Sequence, residues 1–347
     1  MLKSTTILSK GNTLYMKESF YTGRFDSIQA LRGLAALSVV LHHISFIENG
    51  SFGVDIFFCI SGFIMMYVTH LSTKNFLIKR VIRIVPLYYF ITIATFMAMI
   101  IFPYLFDRSS ADLIVLIKSF FFIPTYFAGE IQPIVRVGWT LNYEFFFYLI
   151  LWISMKINVK YRGLIASSVL AVFVIAGRMV SYKGAVMSFY TDTILIEFIF
   201  GIAAYELLRR INYEKCKYSR EGLIVISVIC YVFMFSVKYI GKTSGYDRVL
   251  VYGIPALILF ICTFISLYRK KIPKAFVFLG DISYSVYLFH YLIARYYDRI
   301  LDKYGYDNIW LRMASILVFV SAIAIGSASY YLFEVKLNKL LRKKLNV

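Results

Sequence analysis

GVDIFFCISGFIMMYVTH, residues 53–70, holds one carboxylate, Asp55, in eighteen otherwise apolar or weakly polar positions. A stretch of that length and composition fits a bilayer core, because about 20 apolar helical residues cover its hydrocarbon thickness. Working outward, comparable stretches lie at 30–47, 84–103, 138–155, 163–180, 188–208, 222–240, 249–268, 276–293 and 310–333. They lack the strict alternation of barrel strands, so they read as helices. The sequence therefore predicts an all-α, polytopic transmembrane bundle of about ten helices, over residues 25–335. A flexible cytoplasmic tail is expected at 1–24 and a basic cytoplasmic tail at 336–347.

Composition supports this and excludes a water-soluble body. Of 347 residues, 60% are hydrophobic and only 16% charged, against about 25% charged in soluble domains. The 29 Tyr and 32 Phe suit interfacial belts at the ends of apolar runs. The net charge of +19 does not point to nucleic acid, because the cations sit in short loops between spans. There they encode topology and attraction to anionic lipid. With the N-terminus inside, the inner segments hold 25 Lys and Arg and the outer ones 12, Arg32 being set apart. The positive-inside rule thus predicts N-in and C-in, in a multi-pass protein of the inner or plasma membrane. Within 104–137 the apolar run LIVLIKSFFFIPTYF (113–127) is short for a span and interrupted by Lys118 and Pro124, and reads as an interfacial or re-entrant helix. Cys59, Cys216, Cys230 and Cys262 show no CxxC spacing, so neither a disulfide framework nor a metal site is expected.

Ionisable groups inside spans are costly and are functional candidates by default. Arg32 and His43 are eleven residues apart, which returns them to within about 20° on one helix face, roughly 16 Å apart along the axis. One stripe then carries a fixed cation and a base able to accept a proton near neutral pH. Asp55, Glu144 and His290 fall at a depth similar to His43 under the predicted topology. A carboxylate there could steady the imidazolium. Trp139 stands at the outer interface, with Glu144 about 7 Å deeper. At the cytoplasmic side, Arg80 and Arg83 in NFLIKRVIRIVPLYYF (75–90) share a helical face, and arginine pairs bind phosphate bidentately. Bland readings stand beside each: interfacial caps, a hydrogen-bonded structural histidine, a stop signal.

Five motifs carry a family resemblance: LRGLAALSVVLHH (31–43), GVDIFFCISGFIM (53–65), FLIKRVIRIVPLYYF (76–90), GWTLNYEFFFY (138–148) and LGDISYSVYLFHYLI (279–293). In this order they resemble the integral-membrane acyltransferase-3 family, closest to its branch acting on exopolysaccharides and O-antigens. The resemblance implies transfer of an acyl group, often acetyl, from cytoplasmic acyl-CoA to sugar hydroxyls of a surface or lipid-linked glycan. Acyl-CoA is then a co-substrate rather than a resident cofactor. It implies His43 as catalytic base, in one signature with Arg32; Arg80 and Arg83 as the donor-binding pair; and Trp139 and Glu144 as a fourth-span motif. From depth and charge, Asp55 or Glu144 is expected to steady the ring, Arg32 to lie toward the donor, and Trp139 and His290 to line the site beside the acceptor. Many members carry a further hydrolase-like domain without counterpart here, so such an activity is expected, if at all, from another protein. The competing class is a transporter or flippase of a lipid-linked glycan or small solute, which buried Arg, Asp and Glu would also suit.

Overall fold

The computed structural model describes residues 24–44, 49–106, 111–180, 182–211, 219–237, 248–305 and 309–347. The expected N-terminal tail, apart from Arg24, and Cys216 lie outside them. The described chain is built almost wholly of helices. Its described strands are a two-residue antiparallel hairpin, β1 (Tyr126–Phe127) and β2 (Glu130–Ile131).

In chain order the helices are α1 (Asp26–His42), α2 (Gly53–Leu71), α3 (Phe76–Ile101), α4 (Leu113–Phe120), α5 (Trp139–Ile157), α6 (Arg162–Met179), α7 (Ala185–Tyr190), α8 (Ile196–Leu208), α9 (Arg220–Ser236) and α10 (Ile254–Ser266). Then come α11 (Lys274–Asp281), α12 (Ser283–Tyr304), α13 (Ile309–Ser329) and α14 (Asn338–Leu345). Each apolar stretch read from the sequence is mostly helical over its described residues, though 188–208 is divided between α7 and α8 and 276–293 between α11 and α12. By length and apolar composition, five helices are able to cross a membrane: Gly53–Leu71, Phe76–Ile101, Arg162–Met179, Val249–Ser266 and Met313–Leu345. The bent pair α11 and α12 makes a sixth when taken as one span. The molecule is a multi-pass membrane protein.

Three local features, the first two of them departures from the sequence reading, bear on the site. First, α1 stops at His42, and His43 sits in the cap with φ −92° and ψ 10°, so the helix is shorter than the apolar run. Second, the stretch 276–293 is not straight: α11 and α12 meet at 66°, with Ile282 at the joint. Third, within 104–137 the helix has only eight residues, about 12 Å and far short of a crossing. Asp112 starts α4 by accepting from the backbone N–H of Ile114 and Val115, an ordinary N-cap. The hairpin follows.

The core lies where α2, α5 and α8 meet. Phe198 stacks on Phe58 and packs beside Phe147, with ring centres 4.6 and 4.5 Å away. Close approach of α2 and α8 depends on glycines. A Cβ on Gly62 would strike the Phe198 carbonyl, and one on Gly201 the Cys59 carbonyl. Small residues at such crossings are the usual means of bringing membrane helices together. Arg162, buried at the start of α6, donates to Thr69 Oγ1 (2.8 Å) and to the Met66 carbonyl (3.0 Å). It thereby closes the last turn of α2, where those acceptors would otherwise be left without water.

Candidate functional site

Five helices enclose a cavity of about 140 Å³. Arg32 enters from α1, Ser61 from α2, Arg80 and Arg83 from α3, Glu144 from α5, and Tyr284 and Tyr287 from α12. The i,i+3 spacing in KRVIR puts the two α3 arginines on one face, as expected. Arg32 donates to Gln29 Oε1 at 3.1 Å, and Ser61 donates to Glu144 Oε1 at 3.0 Å. Tyr284 donates to the Ile84 carbonyl at 2.7 Å, pinning α12 to the arginine-bearing part of α3. Arg80 Nε is buried without a hydrogen-bond partner among the described residues. Glu334, beyond the end of α13, accepts from Ser285 at 2.5 Å and lies within electrostatic reach of Arg83 and Arg32.

Three guanidinium groups therefore share one cavity wall with one carboxylate. Arginine keeps its charge, and a buried cation without a partner is costly. The cavity is suited to an anion able to accept several N–H bonds at once.

His43 and His290 lie outside that wall, against each other. His43 Nδ1 is 2.9 Å from the Val39 carbonyl and 3.2 Å from His290 Nε2. His290, fully buried, brings Nδ1 to 3.2 Å from the Val286 carbonyl. Carbonyl oxygens only accept, so both contacts are satisfied by a proton on each Nδ1. His43 Nδ1–H is then shared between the Val39 carbonyl and the His290 Nε2 lone pair. His43 Nε2 keeps its own lone pair, the position a base uses. This tautomer follows from the hydrogen-bond network.

His43 and His290 are not among the residues lining the arginine cavity. Tyr287 lines that cavity, and its ring centre is 5.8 Å from that of His290. Its hydroxyl donates to the Val137 carbonyl at 3.0 Å and lies 2.9 Å from Thr140 Oγ1. Tyr287 so anchored stands beside both the cavity and His290.

The carboxylates do not stand where the sequence reading put them. Glu144 faces the arginines and Ser61, not His43. Asp55 is fully buried and paired with Arg248 at 2.6 Å. Beside it lies Glu197 of α8, also fully buried, whose oxygens have no hydrogen-bond partner among the described residues. That cluster joins α2, α8 and the start of the span at 249. The orienting partner of His43 is a second imidazole, and the ionic partner of Asp55 is a guanidinium. The error lay in equating similar depth with contact, since residues on different helices share a depth without sharing a side. Trp139, the first residue of α5, packs edge-on to Tyr143 and Phe58, with ring centres at 5.8 and 6.4 Å. Its successors Thr140, Leu141 and Glu144 reach the cavity instead. Sequence reading also passed over Tyr287, Glu197, Arg248 and Glu334. Glu197 gave a usable signal, as a lone carboxylate in the apolar run IEFIFG (196–201).

Comparison with known proteins adds a separate line of evidence. Residues 25–331 match the model of a family described as an acyltransferase domain. The chain is 29% identical over 308 residues to the exopolysaccharide production protein ExoZ of Rhizobium meliloti (strain 1021), covering 84% of this chain and 90% of that protein. It is 27% identical over 289 residues to the putative acetyltransferase ORF330 of Acidianus two-tailed virus, covering 77% and 82%. With the peptidoglycan O-acetyltransferase OatA of Listeria monocytogenes it shares 25% identity over 360 residues, 90% of this chain but 56% of that protein. The chain thus spans little more than half of OatA. No solved structure matches the chain.

Proposed function

The chain belongs to the acyltransferase-3 family and is an acyltransferase, and from that premise we propose that it transfers an acetyl group from cytoplasmic acetyl-CoA to a sugar hydroxyl of a surface polysaccharide or lipid-linked glycan. The observation that carries this reading is the convergence of Arg32, Arg80 and Arg83 on one cavity with a single carboxylate on its wall. A nucleotide diphosphate is the anion whose geometry suits such a cluster. The names of ExoZ and OatA support a glycan acceptor. The reading includes ten spans with both ends cytoplasmic, in the inner or plasma membrane.

The chemistry proceeds at the boundary between the cavity and the imidazole pair. Arg80 and Arg83, with Arg32, hold the phosphates, and the thioester arm extends toward Tyr287. Release of the Tyr287 hydroxyl from Val137 and Thr140 opens the way to His43. His43 Nε2 takes the proton of the sugar hydroxyl as its oxygen attacks the thioester carbonyl carbon. The C–O bond forms, the C–S bond breaks, and the departing CoA thiolate takes the proton from the imidazolium. His290 Nε2, accepting from His43 Nδ1–H, holds the ring and stabilises its positive charge, the part a carboxylate plays in other acyl-transfer sites. Glu144 and Ser61 fix the cavity wall.

The test is purified protein in liposomes with radiolabelled acetyl-CoA and non-acylated glycan from cells lacking the gene. Alkali-labile label on the glycan is expected from the wild type and is expected to vanish in His43→Ala, with membrane insertion retained. Translocation of a glycan lipid without label would place the protein among carriers instead.

A further inference from the structure

A second cavity, of about 180 Å³, lies on the far side of the imidazole pair from the arginines and is lined by Phe127, Glu130, Gln132, Arg136, Tyr291 and Arg295 among others. Nothing in the reaction so far uses it. Its wall is assembled by the hairpin and the segment leading into α5. Arg136 donates to both oxygens of Glu130, at 3.0 and 2.8 Å. Gln132 donates through Nε2 to the Phe127 carbonyl at 3.1 Å, which fixes the amide's direction. Gln132 is only 9% exposed, and its Oε1 has no partner among the described residues. A buried carbonyl held in place and left unsatisfied is a hydrogen-bond acceptor awaiting a donor.

The position of the cavity follows from α12. Tyr284, Tyr287, Tyr291 and Arg295 recur at three- and four-residue spacing, so they form one stripe along that helix. Its first two members line the arginine cavity and its last two line the second one. His290 lies beside the middle of the stripe, and the Tyr291 ring centre is 5.7 Å from that of His43. The two cavities thus flank the base from opposite directions.

We propose that the second cavity is the acceptor subsite and takes a sugar ring of the glycan; this deepens, and rests on, the acyl-transfer reading above. A carboxylate, a fixed amide oxygen and a guanidinium offer planar hydrogen-bonding edges to vicinal hydroxyls. The aromatic rings of Phe127 and Tyr291 offer flat faces to the C–H side of a pyranose. Phosphate is the poorer candidate, because Arg136 is already bound by Glu130 and the stronger cation cluster lies on the other side.

The experiment is steady-state acetyl transfer with acetyl-CoA and the non-acylated polysaccharide from cells lacking the gene, for the wild type, Gln132→Leu, Gln132→Glu and Phe127→Ala. Gln132→Leu is expected to raise the glycan KM about tenfold, the loss of one well-placed hydrogen bond, and to leave the acetyl-CoA KM within about twofold. Gln132→Glu, whose carboxylate cannot donate to the Phe127 carbonyl, loses the contact that orients the side chain and is expected to raise the glycan KM as Gln132→Leu does. Phe127→Ala, on the hairpin, should raise the glycan KM and leave the acetyl-CoA KM within about twofold. An unchanged glycan KM in both Gln132→Leu and Phe127→Ala, or an equal rise in the acetyl-CoA KM, would overturn the proposal. Should the wild type transfer no label at all, the acyl-transfer reading falls. Calorimetric binding of the same polysaccharide to wild type and Gln132→Leu then judges the cavity alone, with loss of binding supporting it and equal binding sinking it.

Discussion

At the scale of single residues, the arginine cavity and the Asp55 cluster make opposite demands. Arg80 carries an unpartnered Nε into a space suited to an anion, so its loss should be felt in binding. Arg80→Ala is expected to raise the acetyl-CoA KM at least tenfold. Arg80→Lys should recover only part of this, because an ammonium lacks the planar fork. Initial-rate kinetics across donor concentration decide it, and an unaltered donor KM in both variants would remove phosphate docking from the account. Asp55 belongs to the frame. Removing one partner of a buried ion pair costs up to about 3–5 kcal/mol, less here because Arg248 is 27% exposed. Asp55→Asn should therefore lower the melting temperature measured in detergent. Donor KM and turnover per folded molecule should stay close to wild type, whereas a large fall in turnover at unchanged stability would return Asp55 to the reaction. The Arg32–His43 stripe could be read from a spacing of eleven within one helix. The pairing of His43 with His290 could not, because 247 residues separate them and only the bundle decides which helices are neighbours.

At the scale of elements, apolar run length was a sound guide to where helices form and a poor guide to where they bend or end. A run carries no mark of the angle at Ile282, across which α11 packs along α1 while α12 packs chiefly against α13 and also touches α1 and α3. At the crossing of α11 and α1, a Cβ on Gly280 would strike the Gln29 carbonyl. The hairpin was missed for a different reason: its residues YFAGEI (126–131) form too short a pattern to outweigh the apolar helix before it. The contact between α2 and α8 gives a prediction. Gly201→Val should force the backbones apart at the Cys59 carbonyl and shift the detergent-solubilised protein toward aggregate in size-exclusion chromatography. Gly184→Val, where an added Cβ meets nothing within 4 Å, should behave as wild type. A monodisperse, stable Gly201→Val protein would show that the crossing tolerates separation.

At the scale of the whole molecule, the charge bias over the loops specifies an orientation that the geometry of the helices leaves free. If both ends are cytoplasmic, Asn346→Cys should react with an impermeant maleimide only after the membrane is permeabilised. Ala128→Cys, in the turn of the hairpin, should react in intact cells. The reverse pattern would invert the direction from which donor and acceptor arrive. The angle between α11 and α12 also sets how far this pair of helices reaches. The twelve residues of α12 before Arg295 cover ~18 Å along their axis. The eight residues of α11, turned through 66°, add ~5 Å in that direction instead of ~12 Å. The rest of α12, to Tyr304, adds ~15 Å, so the bent pair still covers the ~30 Å of a bilayer core. The bend thus draws the start of α11 ~7 Å closer to His290 along the α12 axis than a straight rod of the same residues would place it.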